Sequence, residues 1–329
     1  MALRNAQEIP VEPLLQNDGR GKYQLFPIKY ENLWKLCKDA EASYWRTEEV
    51  DFSKDKNDWN SLDEDEKHCM KYVLGYFAVG DGLVIDEAIS LNKVIGAMEV
   101  KLFNAFKEAI ESVHFRVYST IISEYYDNTL EMEEVLRFAG EIPCVQKKIE
   151  FGESLTRTCG PDRLGMRIIA YVIVEGLFFQ GSFALIGSFK ERRMLPGLCE
   201  ANRFISRDEA QHARFGCEVF KYVNNKPTTE EVHALMNEAV TIESEFFTEA
   251  LRKDLYLVSR ENMLIYIRYV ADLLLRMLGY PPLYKVNNPF EFMEKFNALN
   301  MQNFFEGRVT QYARGDEKRM TSLDLTEDF

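Results

Sequence analysis

Apolar residues recur at intervals of three and four along most of the chain after about residue 28, and this spacing predicts amphipathic α-helices. The first such stretch reads "YENLWKLCKDAEASYW". Alternating apolar and polar strands joined by hairpin turns are not evident. Breaks between helices are predicted where charged, glycine or proline clusters interrupt the pattern, at "DFSKDKNDWNSLDEDE", "GEIP", "TCGPDR", "RRMLPG", "NNKPTT" and "GYPP". The body of the chain is therefore predicted to be all-α.

One segment, "RIIAYVIVEGLFFQGSFALIGSF" at 167–189, is long and apolar enough to be considered as a membrane span. Glu175 and Gln180 lie near its middle, and polar groups at that depth are costly in lipid. A helix that is apolar on every side is also typical of the centre of a large bundle. We therefore expect no membrane span, and a buried partner for Glu175.

The two ends of the chain differ from the body. Residues 1–28 contain three of the prolines and the glycine-containing stretch "NDGRGK", which predicts an irregular N-terminal arm. Residues 29–305 form the predicted helical domain. Residues 306–329 are predicted to be a flexible tail, since they end in the polar sequence "ARGDEKRMTSLDLTEDF" without a sustained apolar stripe.

Composition narrows the class of protein. The 329 residues are 46% hydrophobic and 28% charged, as in an ordered globular protein. A net charge of -13 argues against binding to nucleic acid or anionic lipid through a general basic surface. The six cysteines are scattered without a C-x-x-C pair, and the N-terminus lacks the apolar core of a secretory signal. We expect a cytoplasmic protein with reduced thiols.

All four histidines follow an acidic residue by three positions, so the bare motif does not discriminate between them. The pairs are Asp65/His68, Glu111/His114, Glu209/His212 and Glu230/His233. His68 follows the acidic "LDEDE" and His233 follows "KPTT", which is typical of solvated first turns of helices. These two histidines are predicted to lie at the surface.

The other two E-x-x-H pairs lie on apolar stripes. The stripe of Glu111 and His114 continues through Tyr118, and that of Glu209 and His212 has apolar residues on both sides. Residues three apart share a helix face, so both pairs are predicted to point inward. Buried charges must be paired or bind metal, which leaves core ion pairs as the alternative to a metal site.

Two further acids, Asp81 and Glu175, lie in apolar helices and precede the two inward pairs by similar intervals. In an antiparallel bundle these intervals return the chain to the same depth on a neighbouring helix. Four carboxylates and two imidazoles suit two hard or borderline cations such as iron or manganese. The pattern predicts a ferritin-like bundle with a dinuclear site formed by Asp81, Glu111, His114, Glu175, Glu209 and His212.

The sequence resembles the small, radical-generating subunit of class I ribonucleotide reductase, of the eukaryotic or eukaryotic-virus type, over nearly its whole length. The segments that carry the resemblance are "FPIKYENLWKLCKDAEASYWRTEEVDFSKD", "ESVHFRVY", "VEGLFFQGSFA", "ISRDEAQH", "NPFEFMEKF", "NFFEGRV" and "DLTEDF". The resemblance implies the same six metal ligands. It also implies two iron ions per chain, with manganese as an alternative, and a need for oxygen in radical generation.

Further roles follow from the resemblance alone. It implies that Tyr118 carries the radical inside an apolar wall formed by Phe179, Phe183 and Ile205. It implies an electron-transfer route through Trp34, Asp208 and Tyr312, with His114 linking the cluster to Asp208. Its partners would be a large catalytic subunit, contacted by the C-terminal tail, and a second copy of the chain in a homodimer. The activity expected is reduction of ribonucleotides to deoxyribonucleotides.

Three residues after His114 depart from the family pattern, namely Phe115, Arg116 and Val117. We expect them to alter the packing around Tyr118 without removing a ligand. A dinuclear-iron oxygenase or desaturase would share the six ligands but would need a substrate channel in place of the electron-transfer route. The non-enzymatic alternatives are an iron-storage protein of the ferritin kind and a subunit that has lost radical chemistry and only assembles with a partner.

Overall fold

The computed structural model describes residues 12–15 and 24–293, with the side chains of Asp81 and of residues 83–89, 139, 155 and 156 excepted. Within these ranges the chain is helical, apart from connecting segments and one isolated β-bridge between Leu255 and Val258. The α-helices are α1 Glu31–Ala42, α2 Asp55–Ser61, α3 Glu64–Val94, α4 Met98–Tyr125, α5 Thr129–Glu141, α6 Pro143–Thr158, α7 Leu164–Gly176, α8 Gln180–Glu191, α9 Pro196–Lys221, α10 Thr229–Ala250 and α11 Arg260–Met277. The predicted all-α class is confirmed.

Four helices form the centre of the bundle. Helix α7 packs most extensively against α9, and α3 packs against α4. Contacts between α4 and α9 and between α3 and α7 join the two pairs. Every residue of α7 is buried. The four helices predicted to carry metal ligands are therefore neighbours, as in other ferritin-like bundles.

The long apolar segment is divided between two helices. Helix α7 ends at Gly176 and α8 begins at Gln180, so the single central helix predicted over 167–189 is wrong in this detail. Lys148 donates a hydrogen bond to the carbonyl of Phe178 at 3.2 Å, and this satisfies a backbone acceptor at the interruption. Of the apolar window within Pro161–Glu191, 94% is buried inside the fold, as expected for core helices.

The start of α9 is held by a buried aspartate that the sequence analysis did not identify. Asp55 on α2 accepts hydrogen bonds from the backbone N–H groups of Gly197 and Leu198, at 2.8 and 2.7 Å. Tyr125 donates a third hydrogen bond to Asp55 at 2.9 Å. A carboxylate at a helix N-terminus satisfies free N–H groups and complements the helix dipole. This contact fixes where α9 begins, and so the register of its ligands. The predicted break at "DFSKDKNDWNSLDEDE" contains the short helix α2, Asp55–Ser61.

Close approach of α7 and α9 requires a glycine. A Cβ atom added to Gly216 would lie 2.7 Å from a methyl carbon of Val172 and 2.8 Å from the ring of Tyr171. Because real Cβ atoms do not approach other atoms so closely, any larger residue at Gly216 would push the two helices apart.

Part of the predicted irregular N-terminal arm is ordered against the bundle. Pro13–Leu15 forms a 3₁₀ turn, and Leu14 is fully buried. Glu12 accepts hydrogen bonds from the backbone of Asn224 and Asn225, at 2.9 and 2.7 Å. The predicted tail of residues 306–329, with Tyr312, lies outside the described residues.

Candidate metal centre

Five of the six predicted ligands meet at one level of the bundle. Glu111 and His114 lie on α4, Glu175 on α7, and Glu209 and His212 on α9. Each of these side chains is at most 2% exposed. The sixth predicted ligand, Asp81, lies within α3, but its side chain is outside the described part of the chain.

Two carboxylates lie between the two imidazoles. Glu111 places Oε2 2.9 Å from Nδ1 of His114 and Oε1 3.2 Å from Nδ1 of His212. Glu209 places Oε1 3.2 Å from Nδ1 of His114 and Oε2 3.0 Å from Nδ1 of His212. Each glutamate therefore places one oxygen near each histidine, so both glutamates could contribute to cations bound beside either imidazole.

Glu175 lies at one end of this arrangement. Its Oε2 atom is 3.6 Å from Nδ1 of His212. Ligand atoms of Glu111, Glu175, Glu209 and His212 all lie within 4.8 Å of one another, which is close enough to surround one cation. Glu111 and Glu209 also approach His114, which extends the same cluster.

Several oxygens of this cluster are buried without a hydrogen-bond donor, namely Glu111 Oε1, Glu175 Oε2 and Glu209 Oε1. Two of them lie 3.2 Å from an imidazole nitrogen, but that nitrogen has a nearer carboxylate oxygen, at 2.9 or 3.0 Å, and one N–H group can point at only one oxygen. A buried carboxylate oxygen without a partner is costly. Cations that accept these oxygens as ligands would remove that cost, so the residues fit a metal centre.

The ionisation of the cluster supports the same interpretation. Burial alone would lower the pKa of His114, but hydrogen bonds to Asp208 and Glu111 outweigh it and hold the pKa well above its ordinary value. His212 behaves in the same way, since the charge of Glu209 raises its pKa against burial. Protons thus supply the positive charge that these carboxylates need, and metal binding would release them.

Tyr118 is 2% exposed and packs on an aromatic residue that the sequence analysis did not identify. The ring centroid of Phe77, on α3, is 4.6 Å from that of Tyr118. Phe77 also contacts the rings of Phe179 and Phe183, at 5.8 and 5.6 Å. Ile205 is 1% exposed. Tyr118 therefore lies in a dry pocket in which Phe77 joins it to two of the three predicted wall residues.

The tryptophan that contacts Asp208 is Trp45, where the sequence analysis expected Trp34. The indole N–H of Trp45 donates to Asp208 Oδ2 at 2.7 Å, and the same oxygen lies 3.2 Å from Nε2 of His114. Trp45 is 2% exposed. Trp34 is half-buried on α1, with the ammonium of Lys38 5.8 Å from its ring centroid. The structure thus gives a continuous hydrogen-bonded chain from His114 through Asp208 to Trp45.

The residues that depart from the family pattern have little access to Tyr118. Phe115 is 49% exposed and Arg116 is also exposed, so their side chains point away from the bundle. Val117 alone is buried. Of these three residues, only Val117 is therefore in a position to alter the packing around Tyr118.

The two histidines predicted to lie at the surface are half-buried, and their contacts are with backbone. His68 Nε2 lies 3.3 Å from the carbonyl oxygen of Glu249, and His233 Nε2 lies 2.9 Å from that of Pro281. Neither contact involves a residue of the metal cluster.

Comparisons with known proteins were made for the whole chain. The sequence model of the family "Ribonucleotide reductase, small chain" matches residues 22–289. A ribonucleoside-diphosphate reductase small chain from Vaccinia virus (strain Ankara) is 40% identical over 320 residues, which cover 96% of this chain and 99% of the relative. Subunit M2 of the Mesocricetus auratus enzyme is 40% identical over 306 residues, or 92% of this chain and 78% of the relative.

Solved structures agree with the fold. The Rnr4 homodimer of Saccharomyces cerevisiae is similar with a TM-score of 0.76 at 28% identity, covering 90% of this chain and 93% of that one. The dimanganese(II) NrdF of Streptococcus sanguinis has a TM-score of 0.71 at 20% identity, covering 83% of this chain and 99% of that one. At that identity, the second likeness concerns the helical fold alone.

Proposed function

This chain belongs to the ribonucleotide reductase small-chain family, and from that premise we propose that its buried cluster would hold two iron ions and that Tyr118 is oxidised to a neutral radical with oxygen as the oxidant. The oxidising equivalent is then lent to a large subunit, which reduces ribonucleotides to deoxyribonucleotides. The observation that carries this proposal is the pair of glutamates, Glu111 and Glu209, that each face both imidazoles at 2.9–3.2 Å.

The donor set favours iron over zinc. Carboxylate oxygens outnumber imidazole nitrogens in the cluster, and no thiolate is among the predicted ligands. Such oxygen-rich sites suit iron and manganese, whereas structural zinc prefers four ligands with nitrogen or sulfur. Glu111, Glu175, Glu209, His114 and His212 would hold the metal, with Asp81 as the sixth ligand. When bound, the iron ions supply the reaction with oxygen and the oxidising power.

The protein's part in this chemistry is to position and insulate Tyr118. Oxidation of the phenol removes one electron and the hydroxyl proton, and the product is a neutral side chain in an apolar pocket. Phe77 covers the ring at 4.6 Å, and Phe179 and Phe183 are fully buried around it. Water and external reductants are thereby excluded, which gives the radical a long lifetime. Ile205, which is also buried, is proposed to be the third residue of this apolar wall.

We propose that the oxidising equivalent moves toward the large subunit from His114 through Asp208 to Trp45, while the electron that reduces the radical moves in the opposite direction. Asp208 holds both partners, since one of its oxygens is 3.2 Å from the imidazole and 2.7 Å from the indole nitrogen. Trp45 thus takes the role that the sequence analysis gave to Trp34. Tyr312 is proposed to continue the route in the C-terminal tail.

The proposed partners are the large subunit and a second copy of this chain. In the tail, Leu325 and Phe329 are apolar anchors beside acidic residues, and a segment of this kind can order itself on a partner. Deleting residues 323–329 should leave metal loading intact and abolish binding in a pull-down with the large subunit. Tyr312→Phe should keep that binding and block turnover. Full activity after the deletion would contradict docking by the tail.

We propose a cytoplasmic location.

The test of the central proposal is metal analysis combined with spectroscopy. Protein loaded anaerobically with Fe²⁺ and then exposed to oxygen should contain two irons per chain and show a tyrosyl absorption and paramagnetic signal. Tyr118→Phe is the matched control, because it keeps the ligands and removes the oxidisable phenol. It should bind the same iron without the signal. An unchanged signal in this variant would assign the radical to another tyrosine, and many irons per chain would indicate storage instead.

A further inference from the structure

A fully buried lysine lies against the metal cluster. Lys107 is one helical turn before Glu111 on α4, and its side chain is 0% exposed. Its ammonium donates to Oε1 of Glu175 and lies 3.9 Å from Oε1 of Glu111. The amino group of Lys107 is therefore placed among the carboxylates proposed to hold metal ions.

Lys107 is held in place by an aromatic residue of α7. Its ammonium lies 4.7 Å from the ring centroid of Tyr171, within the range of a cation–π contact. The hydroxyl of Tyr171 donates to the backbone carbonyl of His212 at 3.5 Å. The contacts with Glu175 and Tyr171 thus fix the position of the ammonium group inside the cluster.

The contacts of Lys107 affect one end of the cluster more than the other. Glu175 is the ligand that faces His212, where Oε2 lies 3.6 Å from the imidazole. Lys107 donates to the other oxygen, Oε1, so Oε2 of Glu175 would be the oxygen left for a metal ion. Glu111 and Glu209 would contribute to both metal positions, whereas Glu175 would contribute to the position beside His212. A charge next to Glu175 therefore acts mainly on that position.

We propose that Lys107 is a resident cation of the metal centre that fixes Glu175 as a one-oxygen ligand and makes the metal position beside His212 the weaker of the two. The inference rests on the dinuclear centre proposed above. Lys107 is a positioning residue, because it acts on the metal through Glu175. Loading of the two positions is then sequential, with the position beside His114 filled first.

The first experiment uses the unaltered full-length chain. Metal-free protein is titrated with Mn²⁺ alone, and free Mn²⁺ is followed by its paramagnetic signal. Two binding events are expected, with dissociation constants that differ by at least about tenfold, since unit charges a few ångströms apart in a partly screened interior have effects of this size. Two equal sites would overturn the inference while leaving the dinuclear centre intact. One event or none would overturn the dinuclear centre itself.

Two variants identify the cause. Lys107→Gln keeps a hydrogen-bond donor for Glu175 and removes the charge, so the weaker event should tighten by about 10- to 100-fold and the stronger event by less. Lys148→Gln is the matched control, because Lys148 is also a fully buried lysine but pairs with Glu243 instead of a ligand. It should leave the ratio of the two constants unchanged. An equal change in both variants, or no change in Lys107→Gln, would overturn the inference.

The assignment of the weaker position is tested by removing one histidine at a time. His212→Ala should abolish the weaker event and keep the tighter one. His114→Ala should do the reverse. If His212→Ala instead removed the tighter event, the metal position beside His212 would be the stronger one. Lys107 would then not weaken it, and the proposal would be wrong.

Discussion

Replacing Trp45 by phenylalanine tests the electron-transfer route at the point where structure and sequence analysis differ. The variant removes the indole N–H that donates to Asp208 at 2.7 Å and keeps an aromatic ring in the same position. Phenylalanine is much harder to oxidise than tryptophan. We therefore expect Trp45→Phe to keep the fold and the metal centre and to lose turnover with the large subunit.

The cost to stability is modest because Asp208 keeps other partners. Its second oxygen accepts from the guanidinium of Arg207 at 3.1 and 2.9 Å, and His114 remains 3.2 Å away. A hydrogen bond to a charged group contributes about 1.5–3 kcal/mol. The smaller ring leaves a cavity beside Phe204 that costs about 1 kcal/mol more. The sum is well below the roughly 5–15 kcal/mol that separates folded from unfolded protein.

The assay measures turnover per Tyr118 radical, so that incomplete radical formation does not count as lost transfer. Trp45→Phe should lower this ratio at least about a hundredfold, which corresponds to roughly 2.7 kcal/mol of added barrier. Trp34→Phe is the matched control, because it makes the same substitution in a half-buried tryptophan of α1. It should leave the ratio unchanged. Normal turnover in Trp45→Phe, or a comparable loss in Trp34→Phe, would refute the route through Asp208.

Three further predictions concern the metal ligands and their support. Glu209→Ala should lower metal content measured by elemental analysis, whereas His233→Ala should not; equal loss would contradict the assignment of the cluster. Gly216→Ala should lower the melting temperature and the metal content together, because the added methyl group would lie 2.7 Å from the facing helix. Lys148→Met or Glu243→Leu alone should destabilise by about 3–5 kcal/mol in thermal or denaturant unfolding, since each leaves a buried charge, and the double variant should lose less than either. Additive losses would indicate that the pair at 2.6 Å is not coupled.

The inward position of the two E-x-x-H pairs was predictable from sequence because the spacing within each pair is local. Two residues three positions apart must share a face of a helix whatever the rest of the fold does. The relay tryptophan was not predictable in this way. Trp34 lies on α1, and Trp45 follows the end of that helix. Which of them contacts Asp208 depends on how that segment packs against α9. This is a matter of tertiary packing, which the local sequence does not indicate.

Lys107 and Asp55 were missed for a different reason. A lysine or aspartate in a helix is usually solvated, so neither residue type suggests burial. For Lys107 a signal did exist, because the apolar stripe of α4 that carries Glu111 extends back by one turn to reach it. A basic residue on the inward face of a ligand helix should be interpreted together with the ligands, since it alters their charge.

The two E-x-x-H pairs make the ligand sets of the two halves equivalent, but the residues one turn before and after each pair are not. On α4 these flanking residues are Lys107 and Tyr118, and on α9 the same offsets hold Ile205 and Gly216. The lysine adds a charge to one carboxylate, while the isoleucine belongs to the apolar wall. The tyrosine offers a phenol that can be oxidised. The glycine lets α7 and α9 pack so closely that a methyl group at this position would clash with α7. Although the proposed ligands of the two halves are alike, the residues that flank them make the two metal positions different. Substitutions at Lys107, Tyr118 and Ile205 should therefore change the order of metal loading or the site of oxidation while two metal ions are still bound, whereas a substitution at Gly216 should lower the metal content by pushing the two helices apart.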